Sequence, residues 1–163
     1  MTICDYNVWA HARVYDHLKT LPPLLLHEPV KSVFPSLFDV LVHVYIIDTG
    51  WHAVLTGQHA ADDYGTIRRE IDRLLGETRE DSLEGLAARQ QQVCAAIAAI
   101  ARSRSLTEEA VYAGVPMQLG EVMLHIANHG TYHRGNISAM LHQLGHAGVP
   151  TDYGFYLYHL RNK

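Results

Sequence analysis

Cysteine is nearly missing from this chain: Cys4 and Cys94 are the only two in 163 residues, too few for a disulfide framework. The opening Met1-Thr2-Ile3-Cys4-Asp5 has neither the basic start nor the apolar run of a secretory signal, so a reducing cytoplasm is the expected compartment. Long hydrophobic runs are also lacking. Val40 to Ile47 is broken by His43, and Val93 to Ala101 is short and rich in alanine, so no membrane span is expected. Basic runs are absent as well. Thirteen Lys and Arg stand against 17 Asp and Glu, a formal −4, with nothing denser than Arg68-Arg69. A phosphate-backbone binder shows a basic stripe, and nucleic acid is therefore not an expected partner.

What is present is apolar mass and histidine. Hydrophobic residues make up 48% and charged residues 18%, a composition that folds around a sizeable core. The length suits one domain, taken as residues 1–163. Histidine occurs 12 times; it is the commonest side-chain metal ligand, so its placement carries the functional question.

The spacing of apolar residues predicts helices. Tyr6, Trp9, Arg13 or Val14, His17 or Leu18, and Leu21 recur in steps of three and four until Pro22-Pro23 stops the helix. A second helix starts at Ser36, with Asp39 completing a capping-box pattern, and ends near Thr56 before Gly57. It is apolar nearly all round from Leu37 to Ile47, the pattern of an element covered on most sides. Gln58 to Glu80 reads as a long connection in which Ile67, Ile71, Leu74 and Leu75 allow a short helix. A third helix follows the stripe Leu83, Leu86, Gln90, Val93, Ile97 and Ile100, and a fourth of about 25 residues runs from Gly120 to Gly145. Only Ala110 to Val115, before Pro116, offers an extended segment. The expected fold is all-α: a four-helix bundle of up-down type, with its long connection between helices two and three. The aromatic tail Asp152-Tyr153-Gly154-Phe155-Tyr156-Leu157-Tyr158 is expected to pack over the bundle or at a dimer contact.

The chemistry concentrates in the last helix, His125-Ile-Ala-Asn-His129-Gly-Thr-Tyr-His133-Arg134-Gly135-Asn136. Residues four apart on a helix are turned by about 40° and offset by about 6 Å, so two imidazoles can meet at one ion. Both His125/His129 and His129/His133 have this spacing, but all three cannot share an ion, because the outer two are about 12 Å and about 80° apart. Neither first histidine is followed by Glu, which excludes the zincin peptidase pattern. A further ligand must come from another helix. His43, inside the apolar run Leu41-Val42-His43-Val44-Tyr45, is the candidate, since a buried imidazole needs a partner. Each has a plainer reading: His43 as a hydrogen-bonded core residue, the helix-four pair as an exposed face or an interhelical contact. His52 is a reserve ligand on a polar face with Asp48. His11, His17, His27, His59, His142, His146 and His159 read as surface residues, and Cys94 as a space-filling thiol.

Taken together, His129-Gly-Thr-Tyr-His133-Arg134-Gly135-Asn136, preceded by Gly120-Glu121-Val122-Met123-Leu124-His125, resembles the terminal-helix signature of the DinB/YfiT-like family of metal-dependent bundle proteins. That signature ends His-Arg-Gly-Gln in its usual form, so Asn136 is a departure. Pro35-Ser36-Leu37 through His43-Val44, with Asp48 and Trp51, is similar to the family's second helix, and Tyr6-Asn7-x-Trp9-Ala10 to its first; helix three and the connection near Asp62 match by pattern only. The resemblance implies one divalent transition-metal ion held by His43, His129 and His133, with zinc or nickel ahead of iron or manganese, and leaves His125 as a supporting core residue. It also implies homodimers and, for some relatives, transfer or isomerisation chemistry with low-molecular-weight thiols.

Three neutral imidazoles leave an ion its full charge, which lowers the pKa of bound water or thiol. The expectation is a metalloenzyme of the thiol S-transferase or hydrolase type acting on a small molecule. The alternative is a non-catalytic metal-binding or regulatory bundle. Tyr45, Tyr132 and Arg134 are the candidates for groups surrounding the ligands, with Arg134 and Asn136 able to hold the ligand rings.

Overall fold

The computed structural model describes residues 2–58 and 64–162. Six α-helices are found among the described residues: α1 (Ile3–Leu18), α2 (Leu37–Leu55), α3 (Tyr64–Thr78), α4 (Leu83–Ser103), α5 (Leu119–Gln143) and α6 (Tyr153–Arg161). A 3₁₀ turn, Pro23–His27, follows the proline pair, and two short strands, β1 (Glu109–Tyr112) and β2 (Val115–Gln118), precede α5. The surface reading of His59 and the connection near Asp62 lie outside the described residues.

Local chemistry explains the ends. At α1 the Thr2 hydroxyl accepts from the Asp5 N–H while the Asp5 carboxylate accepts from the Thr2 N–H at 2.6 Å, a reciprocal capping box that starts the helix earlier than its first aromatic residue suggests. At α2 the Ser36 hydroxyl accepts from the Asp39 N–H at 3.2 Å, but Asp39 receives the Ser36 hydroxyl proton at 2.5 Å instead of closing the box on the backbone. Gly57 at φ +70° and Gly145 at φ +81° turn the chain out of α2 and α5. At the start of α5 the Glu121 carboxylate accepts from the Gln118 N–H at 2.8 Å.

Four long helices pack as a closed ring: α1 against α4 and α5, and α2 against the same two. α2 is also covered by α3, by the 3₁₀ turn and by β1, which is why Leu37 to Ile47 is apolar on nearly every side. Leu37, Leu86, Ile97, Val122, Ile126 and Met140 meet inside the ring with almost no exposed surface. Each such side chain stabilises by roughly 1.5–3 kcal/mol through apolar burial.

One expectation needs correction and two others gain detail. The chain is not entirely helical: β1 and β2 pair antiparallel, Glu109 with Gln118 through Tyr112 with Val115. The extended segment reverses at Ala113-Gly114, both at positive φ (50° and 78°), the turn whose twist matches a two-residue hairpin. Asn-Gly signals such a turn; Ala-Gly does not. Second, the connection between α2 and α4 carries a full helix of 15 residues, with Leu74 buried and Leu75 exposed. Third, the aromatic tail packs over the bundle as expected, and does so as a helix lying on α1, where Tyr156 packs against Tyr6 and Trp9 with ring centroids 5.7 and 5.3 Å apart.

Candidate metal centre

α2 and α5 run side by side in the ring and bring His43, His129 and His133 together. The one-turn spacing on α5 stacks His129 and His133, and His43 meets them from α2. His129 Nε2 lies 3.1 Å from His133 Nε2 and 3.3 Å from His43 Nε2, and one ligand nitrogen from each ring falls within 4.8 Å of the others. A tetrahedral ion bound at about 2.0–2.1 Å spaces its ligands by about 3.3 Å, and the two separations from His129 Nε2 match that spacing. His133 is buried, and His43 and His129 are half-buried, leaving one side of the cluster toward solvent.

The electrostatics favour free lone pairs. Burial, followed by the neighbouring imidazoles His133 and His43, pushes His129 down to about 4. Burial and then His43 push His133 down to about 4, and burial alone lowers His43. At neutral pH the rings are uncharged donors of electron pairs rather than three crowded cations.

The surroundings divide the expected partners. The Asn136 amide nitrogen Nδ2 lies 3.4 Å from His133 Nδ1, and a turn of the amide exchanges it for the oxygen. With its oxygen turned to the ring it accepts the Nδ1–H that a ligating Nε2 requires. The exposed Tyr132 ring stands edge-on to His133, with centroids 5.0 Å apart. Tyr45 is turned elsewhere, toward the Arg89 guanidinium. Phe34, in the loop before α2, packs on His43 and His133 at centroid distances of 4.9 and 5.4 Å. It sits outside any helical stripe, and no spacing signal in the sequence pointed to it.

Two histidines depart from their expected places. His125 is exposed rather than part of the core; its ring lies against Trp51 and 6.1 Å from the His129 ring, outside the converging group. His11 is not a surface residue: it is 6% exposed, buried on the inner face of α1 beside Arg134 of α5. The signal was available, since Cys4, Asn7, His11, Val14 and Leu18 form an unbroken heptad stripe, all of it buried. His52, the reserve ligand, is half-buried and stands apart from the group.

Arg134 does not touch the three histidines. It is 4% exposed and turns toward α1, donating to Asn7 Oδ1 at 2.7 Å, to the Tyr6 hydroxyl at 3.0 Å and to the Thr131 hydroxyl at 2.8 Å, with a longer contact of 3.3 Å to His11 Nε2. Gly130 makes this approach possible, because a Cβ there would stand 2.5 Å from Asn7 Oδ1 and 2.7 Å from Arg134 Nη1. A groove of about 520 Å³ runs along this other side of α5, lined by Tyr6, Thr131, Arg134 and Phe155 among others and by none of the three histidines. No helix among the described residues is long and apolar enough to cross a membrane.

Comparison with known proteins agrees with this architecture. The sequence matches the DinB family over residues 1–162. It is 35% identical over 166 residues to Protein DinB of Bacillus subtilis (strain 168), an alignment covering 94% of this chain and 91% of that protein. The fold is similar to the crystal structure of a DinB-like protein from Bacillus cereus ATCC 10987, with a TM-score of 0.63 at 17% identity over 90% of this chain and 91% of the other.

Proposed function

The chain belongs to the DinB family, and on that premise we propose that it is a divalent-metal protein whose ion is held by His43, His129 and His133, within a ring of helices read as a four-helix bundle. One observation carries the reading. His129 Nε2 has two imidazole nitrogens within bonding distance, at 3.3 and 3.1 Å. An imidazole nitrogen has a single in-plane position, as N–H donor or lone-pair acceptor, and satisfies one neighbour only. Three lone pairs directed at one cation satisfy every ring at once. The uncharged state of His129 and His133 supports the same reading.

When bound, a divalent ion with three neutral ligands and an open position supplies a Lewis acid that makes water or a thiol nucleophilic near pH 7. The rest is the work of this chain. His133 is held in orientation by Asn136, Phe34 covers His43 and His133 on one flank, and the half-buried faces of His43 and His129 leave an approach from solvent. Among the described residues no carboxylate belongs to the group, so the proton of a small-molecule thiol or water would leave to solvent. This favours thiol S-transfer or hydrolysis of a small molecule, with zinc or nickel as the ion, over peptidase chemistry, which needs an adjacent general base.

The test is elemental analysis of untagged, dialysed protein for the wild type and for His43→Ala, His129→Ala and His133→Ala. The expected result is that each variant loses one equivalent of divalent ion while its helical circular dichroism persists. Metal content unchanged in all three variants would overturn the reading.

A further inference from the structure

We propose that the middle of the helix ring is a second metal site, in which His11, Asp48 and Cys94 hold a divalent, thiophilic ion separate from the three-histidine group. The three residues come from α1, α2 and α4, all are buried, and their ligand atoms lie within 4.8 Å of one another. Imidazole, carboxylate and thiolate are together a donor set suited to zinc or cobalt.

The second observation is a surplus of unused oxygen. Asp48 Oδ1, Gln90 Oε1 and the Tyr15 hydroxyl are buried without a hydrogen-bond partner. Asp48 is 0% exposed and Gln90 1%. Buried acceptors are almost always paired with protein, water or an ion; two of these belong to side chains in direct contact, Asp48 and Gln90, and Tyr15 lines the same cavity as Gln90, His11 and Cys94. The Gln90 amide nitrogen already sits between two of the ligands, 2.6 Å from Asp48 Oδ2 and 3.1 Å from Cys94 Sγ. A turn of the amide puts Oε1 in that place as a fourth ligand. His11 is released at little cost, because Arg134 Nη1 keeps Asn7 Oδ1 at 2.7 Å when it gives up the 3.3 Å contact.

Charge and access are consistent with this. The Cys94 thiol and the Asp48 carboxyl are both pushed up, chiefly by burial, Asp48 to about 7. An ion that takes a thiolate and a carboxylate is neutralised, so the core gains no net charge. On binding, the Cys94 S–H and Asp48 O–H bonds break, sulfur and oxygen keep their electron pairs to coordinate the ion, and both protons leave to solvent. The path is a cavity of about 200 Å³ between α1 and α4, whose lining includes His11, Tyr15, Gln90 and Cys94 and whose rim carries Asp16 and Lys19.

The probe is Co(II) added to metal-free, untagged full-length protein under reducing conditions, followed by absorption and by equilibrium dialysis. The expected result is two equivalents bound, with a near-ultraviolet thiolate-to-cobalt band whose growth saturates with one of them. Cys94→Ser removes that band and one equivalent; His129→Ala removes the other equivalent and keeps the band. Should Cys94→Ser fail to fold, the wild type still decides, with Gln90→Leu as the second variant, expected to weaken the band-forming equivalent tenfold or more. A wild type that binds cobalt without a thiolate band, or a band that survives Cys94→Ser, would overturn the proposal and leave the cluster as a hydrated polar core.

Discussion

The two polar clusters of this molecule lie on the same helices and differ in nearly everything else. His43 and Asp48 are five residues apart on α2, about 7.5 Å along its axis, and His133 and Arg134 are adjacent on α5. Yet one cluster is three uncharged imidazoles partly open to solvent. The other is a closed set of imidazole, carboxyl, thiol, carboxamide and guanidinium with no exposed member. The difference shows how burial divides labour: neutral ligands near the surface leave a cation its charge to spend on chemistry, whereas acidic ligands in the core extinguish that charge and serve only to hold the fold.

The strongest way to separate the two is to remove Arg134. Its guanidinium is the donor for Asn7, Tyr6 and Thr131, so Arg134→Met should cost about 3 kcal/mol in urea unfolding, since it leaves buried acceptors without partners. Metal content at the three histidines should be unchanged. Gly130→Ala presses on the same contact from the opposite side. With a Cβ 2.5 Å from Asn7 Oδ1 and 3.0 Å from His11 Nε2, it should destabilise by about 2 kcal/mol by overpacking, again without loss of the three-histidine ion.

The contrast explains what the sequence discloses and what it conceals. His129 and His133 are legible because helical periodicity alone sets their distance, and His43 because a polar residue inside Leu41-Val42-His43-Val44 needs a partner. Nothing local chooses between the two i,i+4 pairs. That choice is made by α2, whose His43 meets α5 at the level of His129 and His133, while His125 falls against Trp51. The buried cluster is harder to see, because each helix contributes only one or two of its members and each of those looks unremarkable among its own neighbours. The hairpin escapes notice for a different reason, since Ala113 adopts a left-handed conformation that its residue type does not advertise.

Two smaller effects sharpen the comparison. Asn136 contacts the ligand ring only through His133 Nδ1, so Asn136→Leu should weaken metal binding about tenfold while leaving thermal unfolding of the metal-free protein nearly unchanged. The pH response of metal-free protein should carry opposite signs for the two clusters. His129 and His133 have folded values near 4 against 6.5, so the unfolded chain binds protons first and stability falls as pH drops from about 6.5 to 4. Asp48, with a folded value of about 7 against 3.8, holds its proton in the folded state, and its contribution is lost progressively as pH rises from about 3.8 to about 7. The two slopes oppose each other between about pH 4 and 6.5, so urea midpoints should fall more steeply with rising pH in a His129→Ala/His133→Ala double variant and rise more steeply in Asp48→Asn.

The central claim is that one ion sits among His43, His129 and His133. Anomalous diffraction at the zinc edge, from crystals grown with one equivalent of zinc, tests it most directly. A peak about 2.0–2.2 Å from all three Nε2 atoms, whether or not the buried cluster also takes zinc, is the predicted result, and no peak at these nitrogens would contradict it.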